Sequence, residues 1–308
     1  MSIVTVTFSP AIDKSSSVAR LEPDKKLKCA VPHLEPGGGG INVARAVVHL
    51  GGKATAVFPS GGFTGKYFNR LMEQEGVPCI IIESQNETRE NFVILDESTR
   101  MQYRFGMPGT ALNSSEWKQI LHVIEDITHI DFLVASGSLP PGVPDEVFAQ
   151  MARIAEKKKA KYIVDVPGEP LRLALNAGVY LIKPNLGELS GLSHQQRLTE
   201  KEAGEMAKQF ILEGKCEVMV VSMGEQGALL VTKEFTSLFR APKVERKSTV
   251  GAGDSMVAGI VYSLANGRSL TDSVRYGVAC GTAATLNPGT ALCRKEDADQ
   301  IYQLIKPE

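Results

Sequence analysis

The chain has 308 residues, 43% hydrophobic and 22% charged, with a formal net charge of −1. That length holds one large α/β domain or two ordinary ones, and the composition is that of a globular protein. The charge balance gives no reason to expect a nucleic-acid or anionic-membrane partner, and no apolar run approaches the roughly 20 residues that span a bilayer.

The opening "MSIVTVTFSP" has no basic region or cleavage site, and it predicts a strand over 3–8 rather than a signal peptide. A helix ending in glycine follows in "INVARAVVHLGG" (41–52), then a strand and turn in "KATAVFPSGG", a helix in "GKYFNRLMEQEG" and a strand in "VPCIIIES". Further on come strand "DFLVASGS", helix "DEVFAQMARIAEKKKA", strands "KYIVDVPG" and "VYLIKPN", helix "EKEAGEMAKQFILEG" and strand "CEVMVVSMG". Strands alternating with helices predict an α/β fold, a mostly parallel sheet with helices on both faces and ligands at the carboxyl ends of the strands. Two segments, about 13–35 and about 88–107, carry strand-like pieces with no helix after them: "KLKCAVPHL", "ENFVILDE" and "RMQYRFGM". They predict a small sheet standing off the main body as a lid, with a face for a second subunit. No linker rich in Pro, Gly or Ser divides the chain, so 1–308 reads as a single domain.

The five cysteines (Cys29, Cys79, Cys216, Cys280, Cys293) form no CxxC pair, which predicts reduced thiols in a cytoplasmic protein and no zinc site. His33, His49, His122, His129 and His194 are scattered and read as surface or packing residues.

Several short stretches carry chemistry. "EPGGGGINVARA" (35–46) spends four consecutive glycines before a helix that starts near Ile41. So many glycines, feeding a helix, favour a ligand-facing loop over a plain corner, with Asn42 facing what lies over it. "SGSLPPGV" (136–143) ends an apolar strand, and Ser138 either points into the crevice or belongs to a tight turn. In "LIKPNLGEL" (181–189), Lys183, Asn185 and Glu188 suit a phosphate, its Mg²⁺ and bridging waters; Asn185 and Glu188 equally suit a helix cap. "VVSMGEQGALLV" reads as a hairpin with Ser222 and Gly224 at its mouth. "STVGAGDSM" (248–256) places glycines at a helix N-terminus and Asp254 in its first turn, where free N–H groups and the helix dipole suit an anion. Within the helix "DSVRYGVACGTAATL", which ends in Asn-Pro-Gly, Ala279, Gly281, Ala283 and Ala284 leave room for a flat ring or for tight helix packing. "GAGDSM" is not a dinucleotide fingerprint, and "SGGFTGKY" fails as a Walker loop at Ser60 and Tyr67.

GGGGINVARA, SGSLPPG, KPNLGEL, STVGAGDS and NPGT, in this order and spacing, resemble the ribokinase-like (PfkB) family of sugar kinases over essentially the whole chain. The resemblance implies a three-layer ribokinase-like fold with a β lid that helps form a homodimer. It implies an ATP- and Mg²⁺-dependent kinase with a place in glycolysis. Relatives acting on fructose 1-phosphate or tagatose 6-phosphate usually carry GGKG; this chain has Gly39 there, which favours fructose 6-phosphate, phosphorylated at C1 to fructose 1,6-bisphosphate. By matched position Asp254 is the catalytic base and the N–H groups of Gly251, Ala252 and Gly253 form the anion hole. The matched sugar-phosphate residues are Asp13, Lys26, Gly38, Asn42, Arg89 and Ser138, with Lys26 reaching across from a neighbouring subunit. The matched nucleotide residues are Lys183, Asn185, Glu188, Ser222, Gly224 and Asn287, with Glu188 acting on Mg²⁺ indirectly. A monovalent cation such as K⁺ falls near Ser248, Val250, Ala284, Asn287 and Gly289. The alternatives are a kinase of fructose 1-phosphate or tagatose 6-phosphate and, in another class, a sugar-phosphate sensor without activity.

Overall fold

The short apolar runs become buried strands whose alternate side chains enter two separate cores. The structure is a computed structural model and describes residues 1–192 and 198–306; His194 lies outside the described residues. In chain order its first half contains β1 (Ile3–Val6), β2 (Ala11–Val18), β3 (His33–Gly37), α1 (Gly39–His49), β4 (Thr55–Ser60), α2 (Gly62–Gln74), β5 (Cys79–Glu83), β6 (Arg89–Asp96), β7 (Met101–Phe105), α3 (Ser114–Asp126) and β8 (Phe132–Ser136). The second half contains α4 (Val147–Lys158), β9 (Lys161–Asp165), α5 (Gly168–Ala177), β10 (Val179–Ile182), α6 (Leu186–Leu192), α7 (Glu200–Leu212), β11 (Cys216–Ser222), β12 (Ala228–Val231), β13 (Thr236–Phe239), α8 (Ala252–Ala265), α9 (Leu270–Thr285) and α10 (Lys295–Leu304).

Nine strands form the main sheet in the order β13-β12-β11-β10-β9-β8-β1-β4-β5. It is parallel except for β12 and β13, which return as antiparallel hairpins. Ile3, Phe132, Val134, Ile163, Leu181 and Val218 turn to one face, under α1, α2, α8, α9 and α10. Val4, Leu133, Ala135, Tyr162, Val164 and Met219 turn to the other, under α3, α4, α5 and α7. Burial on both faces explains why these strands read as continuous apolar runs. All five cysteines are free thiols.

The chain runs outward from β1 through β4 to β5, then resumes at β8 on the other side of β1. A crevice opens at the carboxyl ends of the strands where the order reverses. The glycine loop enters it. Gly38 has φ of 113°, open to glycine alone, and the helix begins at Gly39, two residues before the expected Ile41.

A second sheet has the order β3-β2-β6-β7. Its central pair β2–β6 is parallel and its outer pairs are antiparallel. One expectation shifts here. "KLKCAVPHL" is irregular until His33, and the strand lies instead in "AIDKSSSV" (11–18). A polar serine run pairing on both edges has no apolar alternation to reveal it.

Candidate active site

Three elements meet over the carboxyl ends of β1 and β8. Gly251, in the left-handed conformation at φ of 72°, turns the chain into α8, and no side chain caps that helix. By contrast, Asn113, Thr199 and Ser269 cap α3, α7 and α9 with their own side chains. α1, α4, α5 and α10 also start without a side-chain cap, but at α8 the free N–H groups stand beside Asp254 with Ala252 and Gly253 on the wall of a cleft, where an anion can reach them. At α2, whose start contains the failed Walker loop, the Glu87 carboxylate accepts from the N–H groups of Phe63 and Thr64, so an internal carboxylate already fills that terminus.

Asp254 stands in the first turn of α8, partly open to the crevice. Its carboxylate accepts a hydrogen bond from Asn42 Nδ2, in the first turn of α1, at 2.9 Å. Ser136 Oγ approaches its other oxygen at 3.5 Å. Burial pushes the Asp254 carboxyl up to about 6, nearby Asp165 adds to the rise, and Asn42, Lys183 and Ser136 oppose it. A carboxyl so placed is ionised at neutral pH yet a better proton acceptor than an ordinary aspartate.

Three of the four loop glycines meet a neighbour that leaves no space for a side chain. A Cβ on Gly37 would fall 2.0 Å from Asp13 Oδ2, one on Gly39 2.3 Å from Ser136 Oγ, and one on Gly40 2.5 Å from the Val6 carbonyl. Asp13 is buried, and Asn91 Nδ2 donates to its Oδ1 at 2.9 Å. Burial raises its carboxyl above the ordinary range, against the Asn91 bond and Arg89. Arg89 is half-buried; it donates to the carbonyls of Met107 at 2.7 Å and Ser9 at 3.1 Å, while its Nε has no partner.

On the other side of α8, Lys183 is buried with its Nζ 3.2 Å from Asp165 Oδ1. Burial alone would lower its ammonium, but Asp165, with Glu188 and Asp254, outweighs this and the net shift is upward. The same Nζ lies 3.5 Å from where a Cβ on Gly253 would be, so the lysine faces the start of α8. Asn185 and Glu188 form a reciprocal cap on α6, at 2.8 and 2.9 Å, which is the capping alternative for that pair. Asn185 also bridges to Ser222 on β11. Ser222, Gly224, Ala252, Gly253 and Asn185 line one cleft of about 810 Å³, closed by Val244, Met256, Val278 and Gly281. Ala279, Ala283 and Ala284 are fully buried between helices, so of that small-residue stripe Gly281 alone reaches the cleft wall.

The loops before α8 and after α9 touch each other. Ser248 Oγ donates to the Gly289 carbonyl at 2.6 Å, and the Val250 N–H donates to Ser248 Oγ at 3.2 Å. Asn287 turns inward, donating to the Leu292 carbonyl at 2.9 Å, and the Ala284 carbonyl accepts from the Asn287 N–H. Two predicted residues join none of this. Lys26 is exposed in the loop between β2 and β3 and makes no ion pair among the described residues. Ser138 is exposed beyond β8, while Ser136, two positions earlier, is the serine that reaches Asp254. Ser136, Asn91 and Asp165 were missed as site residues. The signal for Ser136 and Asp165 was available, because both are the polar last residues of apolar strands.

This arrangement can hold an anion at α8 beside a half-buried carboxylate, with an open cleft on one side and a polar loop on the other. Residues 5–297 match the pfkB family carbohydrate kinase pattern. The chain is 45% identical to ATP-dependent 6-phosphofructokinase isozyme 2 of Escherichia coli, over 98% of each chain. It is 30% identical to 1-phosphofructokinase of Borreliella burgdorferi, over 99% of this chain and 98% of the other. Phosphofructokinase-2 from Escherichia coli superposes with a TM-score of 0.95 in complex with substrates and products, at 44% identity and 99% of each chain. The same protein in complex with potassium gives 0.94, at 44% identity and 98% of each chain. The chain belongs to the pfkB family of carbohydrate kinases.

Proposed function

We propose that this protein transfers the γ-phosphoryl group of ATP to the C1 hydroxyl of fructose 6-phosphate, giving fructose 1,6-bisphosphate and ADP. The observation that carries the reading is the uncapped start of α8, with the half-buried Asp254 carboxylate in its first turn. The glycines at 251 and 253 let backbone N–H groups crowd the transferring phosphoryl, and the helix dipole adds to their field. Asp254, oriented by Asn42, takes the C1 proton as that oxygen bonds to phosphorus and the bond to the ADP oxygen breaks.

Asp13, Gly38, Asn42, Asn91 and Arg89 form the sugar-phosphate side. Lys183 neutralises charge on the leaving phosphates, and Ser222, Gly224 and the 810 Å³ cleft take the nucleoside. Bound Mg²⁺ supplies charge neutralisation between the phosphates. No group of three or more acidic, His or Cys ligands is found among the described residues. That fits an ion held mainly by phosphate and water, with Asp165 and Glu188 as outer carboxylates. Ser248 Oγ and the Gly289 carbonyl are hard oxygens suited to K⁺, with Asn287 shaping the turn rather than facing it.

The outer face of the second sheet presents Phe92, Met101, Tyr103 and Phe105, all exposed in the single chain. A homodimer through this face accounts for them, because a row of exposed aromatics on a sheet is otherwise a liability. In the dimer Lys26 of one subunit serves the sugar phosphate of the other. The Escherichia coli relative also has a tetrameric inhibited form. Tyr103→Glu with Phe105→Glu should yield a monomer in analytical ultracentrifugation; an unchanged assembly would place the interface elsewhere. No helix is long and apolar enough to cross a membrane among the described residues, and the free thiols agree with a cytoplasmic setting.

The test of substrate is coupled ADP release with fructose 6-phosphate, fructose 1-phosphate and tagatose 6-phosphate. The highest kcat/KM on fructose 6-phosphate supports the reading. Preference for another keeps the mechanism and moves the substrate, and no turnover on any of them favours a sensor.

A further inference from the structure

A buried ion-pair network lies behind the glycine loop, and nothing in the reaction so far uses it. Arg45, on α1, is 1% exposed. Its Nη1 donates to the Pro36 carbonyl at 2.7 Å, and its Nη2 to Glu35 Oε1 at 3.0 Å and to Glu75 Oε1 at 2.8 Å. Burial would raise the Glu75 carboxyl, but its bonds to His49 and Arg45 pull it down to about 2, so that carboxylate stays charged. Glu35 is itself buried, and its second oxygen accepts from Thr290 Oγ1, 255 residues further along the chain.

Both ends of that contact lead to the reacting groups. Glu35 pairs with Asp13 across β3 and β2, and it precedes the loop whose Gly37 packs on the Asp13 carboxylate. Thr290 lies in the turn after α9. Its carbonyl is 3.9 Å, and Leu292 is 2.7 Å, from where a Cβ on Gly251 would stand. Gly251 is the residue that turns the chain into α8. The acceptor loop and the anion hole come from opposite ends of the sequence, and Glu35 and Thr290 tie them with a buried, charge-assisted hydrogen bond.

We propose that Glu35, oriented by Arg45 and bonded to Thr290, is a positioning residue that fixes the distance between the sugar-side glycine loop and the N-terminus of α8. The inference rests on the phosphoryl-transfer reading above. Neither side chain belongs to the substrate-contacting set, so its loss should appear in the chemical step and not in binding. In-line transfer is steep in distance, and small misplacements reduce rate far more than affinity.

The experiment compares Thr290→Val, which keeps shape and removes the donor, with Thr290→Ser, which keeps the donor. Steady-state kinetics are run per folded enzyme, well below the unfolding midpoint. Thr290→Val should lower kcat about tenfold, with KM for ATP and for fructose 6-phosphate within about twofold of the parent. Thr290→Ser should restore kcat to within about twofold. Should Thr290→Val not yield folded protein, Thr290→Ala, which removes the hydroxyl and adds no bulk, carries the same expectation. A Thr290→Val enzyme with unchanged kcat, or an equal loss in Thr290→Ser, overturns the inference alone. A parent enzyme inert to every sugar phosphate overturns the kinase reading and this inference with it.

Discussion

Replacing Asp254 with Asn should make the protein more stable at neutral pH. The folded state holds this carboxyl up to about 6, against 3.8 for an ordinary aspartate. Between those values the folded protein keeps a proton that the unfolded chain has released. The stability tied to that proton is therefore fully present below about pH 4 and is lost as pH rises through about 6. At about 1.4 kcal/mol per tenfold, the loss by neutral pH approaches 3 kcal/mol, a ceiling because Asp254 keeps some contact with water in the crevice. Asn carries no charge and can still accept from Asn42, so the variant escapes most of this loss. For a chain of this size about 1 kcal/mol moves the unfolding midpoint by roughly 2 °C, which predicts a rise of about 3–6 °C near pH 7.5. The assay is thermal unfolding of the ligand-free protein, followed by circular dichroism, at about pH 4.5, 6 and 7.5. The difference between variant and parent should be largest at the highest pH and shrink toward zero at the lowest. A variant no more stable than the parent near pH 7.5, or a difference independent of pH, would refute the assignment of a destabilised, buried carboxylate.

Three other substitutions test the site around it. Gly39→Ala forces a Cβ to within 2.3 Å of Ser136 Oγ. Overpacking of that kind costs about 1–3 kcal/mol, and here it should also lower kcat by displacing the serine from Asp254; Gly191→Ala, with open space around it, should do neither. Asn42→Leu removes a bond that favours the carboxylate, so the acid limb of kcat/KM should move up by about one pH unit, and an unmoved limb would assign that limb to another group. Arg89→Ala should raise KM for the sugar phosphate much more than KM for ATP; equal effects would mean that the arginine only supports the Met107 and Ser9 carbonyls.

The sequence shows the main sheet and the anion-binding turn because both follow from local patterns. Strands buried on both faces must be apolar throughout, and a glycine-rich turn before an aspartate and a helix has few other uses. The second sheet was legible in outline only, since β2 reads "AIDKSSSV" and hydrophobic periodicity does not mark a polar strand. Site residues on glycine-rich turns stood out. Ser136, Asn91 and Asp165 sit inside ordinary strands or at their ends, and only tertiary placement separates them from neighbours such as Ser138. Gly39 carries a similar lesson. Its contact with Ser136 and Gly137 is reason enough for glycine in this chain, so its weight as a marker of sugar choice is smaller than the motif suggests. The Glu35–Thr290 bond, spanning 255 residues, had no local signal at all.

In the proposed reaction Asp254 accepts the C1 proton beside the N-terminus of α8. Coupled ADP release from ATP, Mg²⁺ and fructose 6-phosphate, comparing the parent with Asp254→Asn, tests it most directly. The parent should turn over readily, and the variant should lose about a thousandfold in kcat with KM for the sugar phosphate little changed. An Asn variant that turns over within a few-fold of the parent would show that the base lies elsewhere.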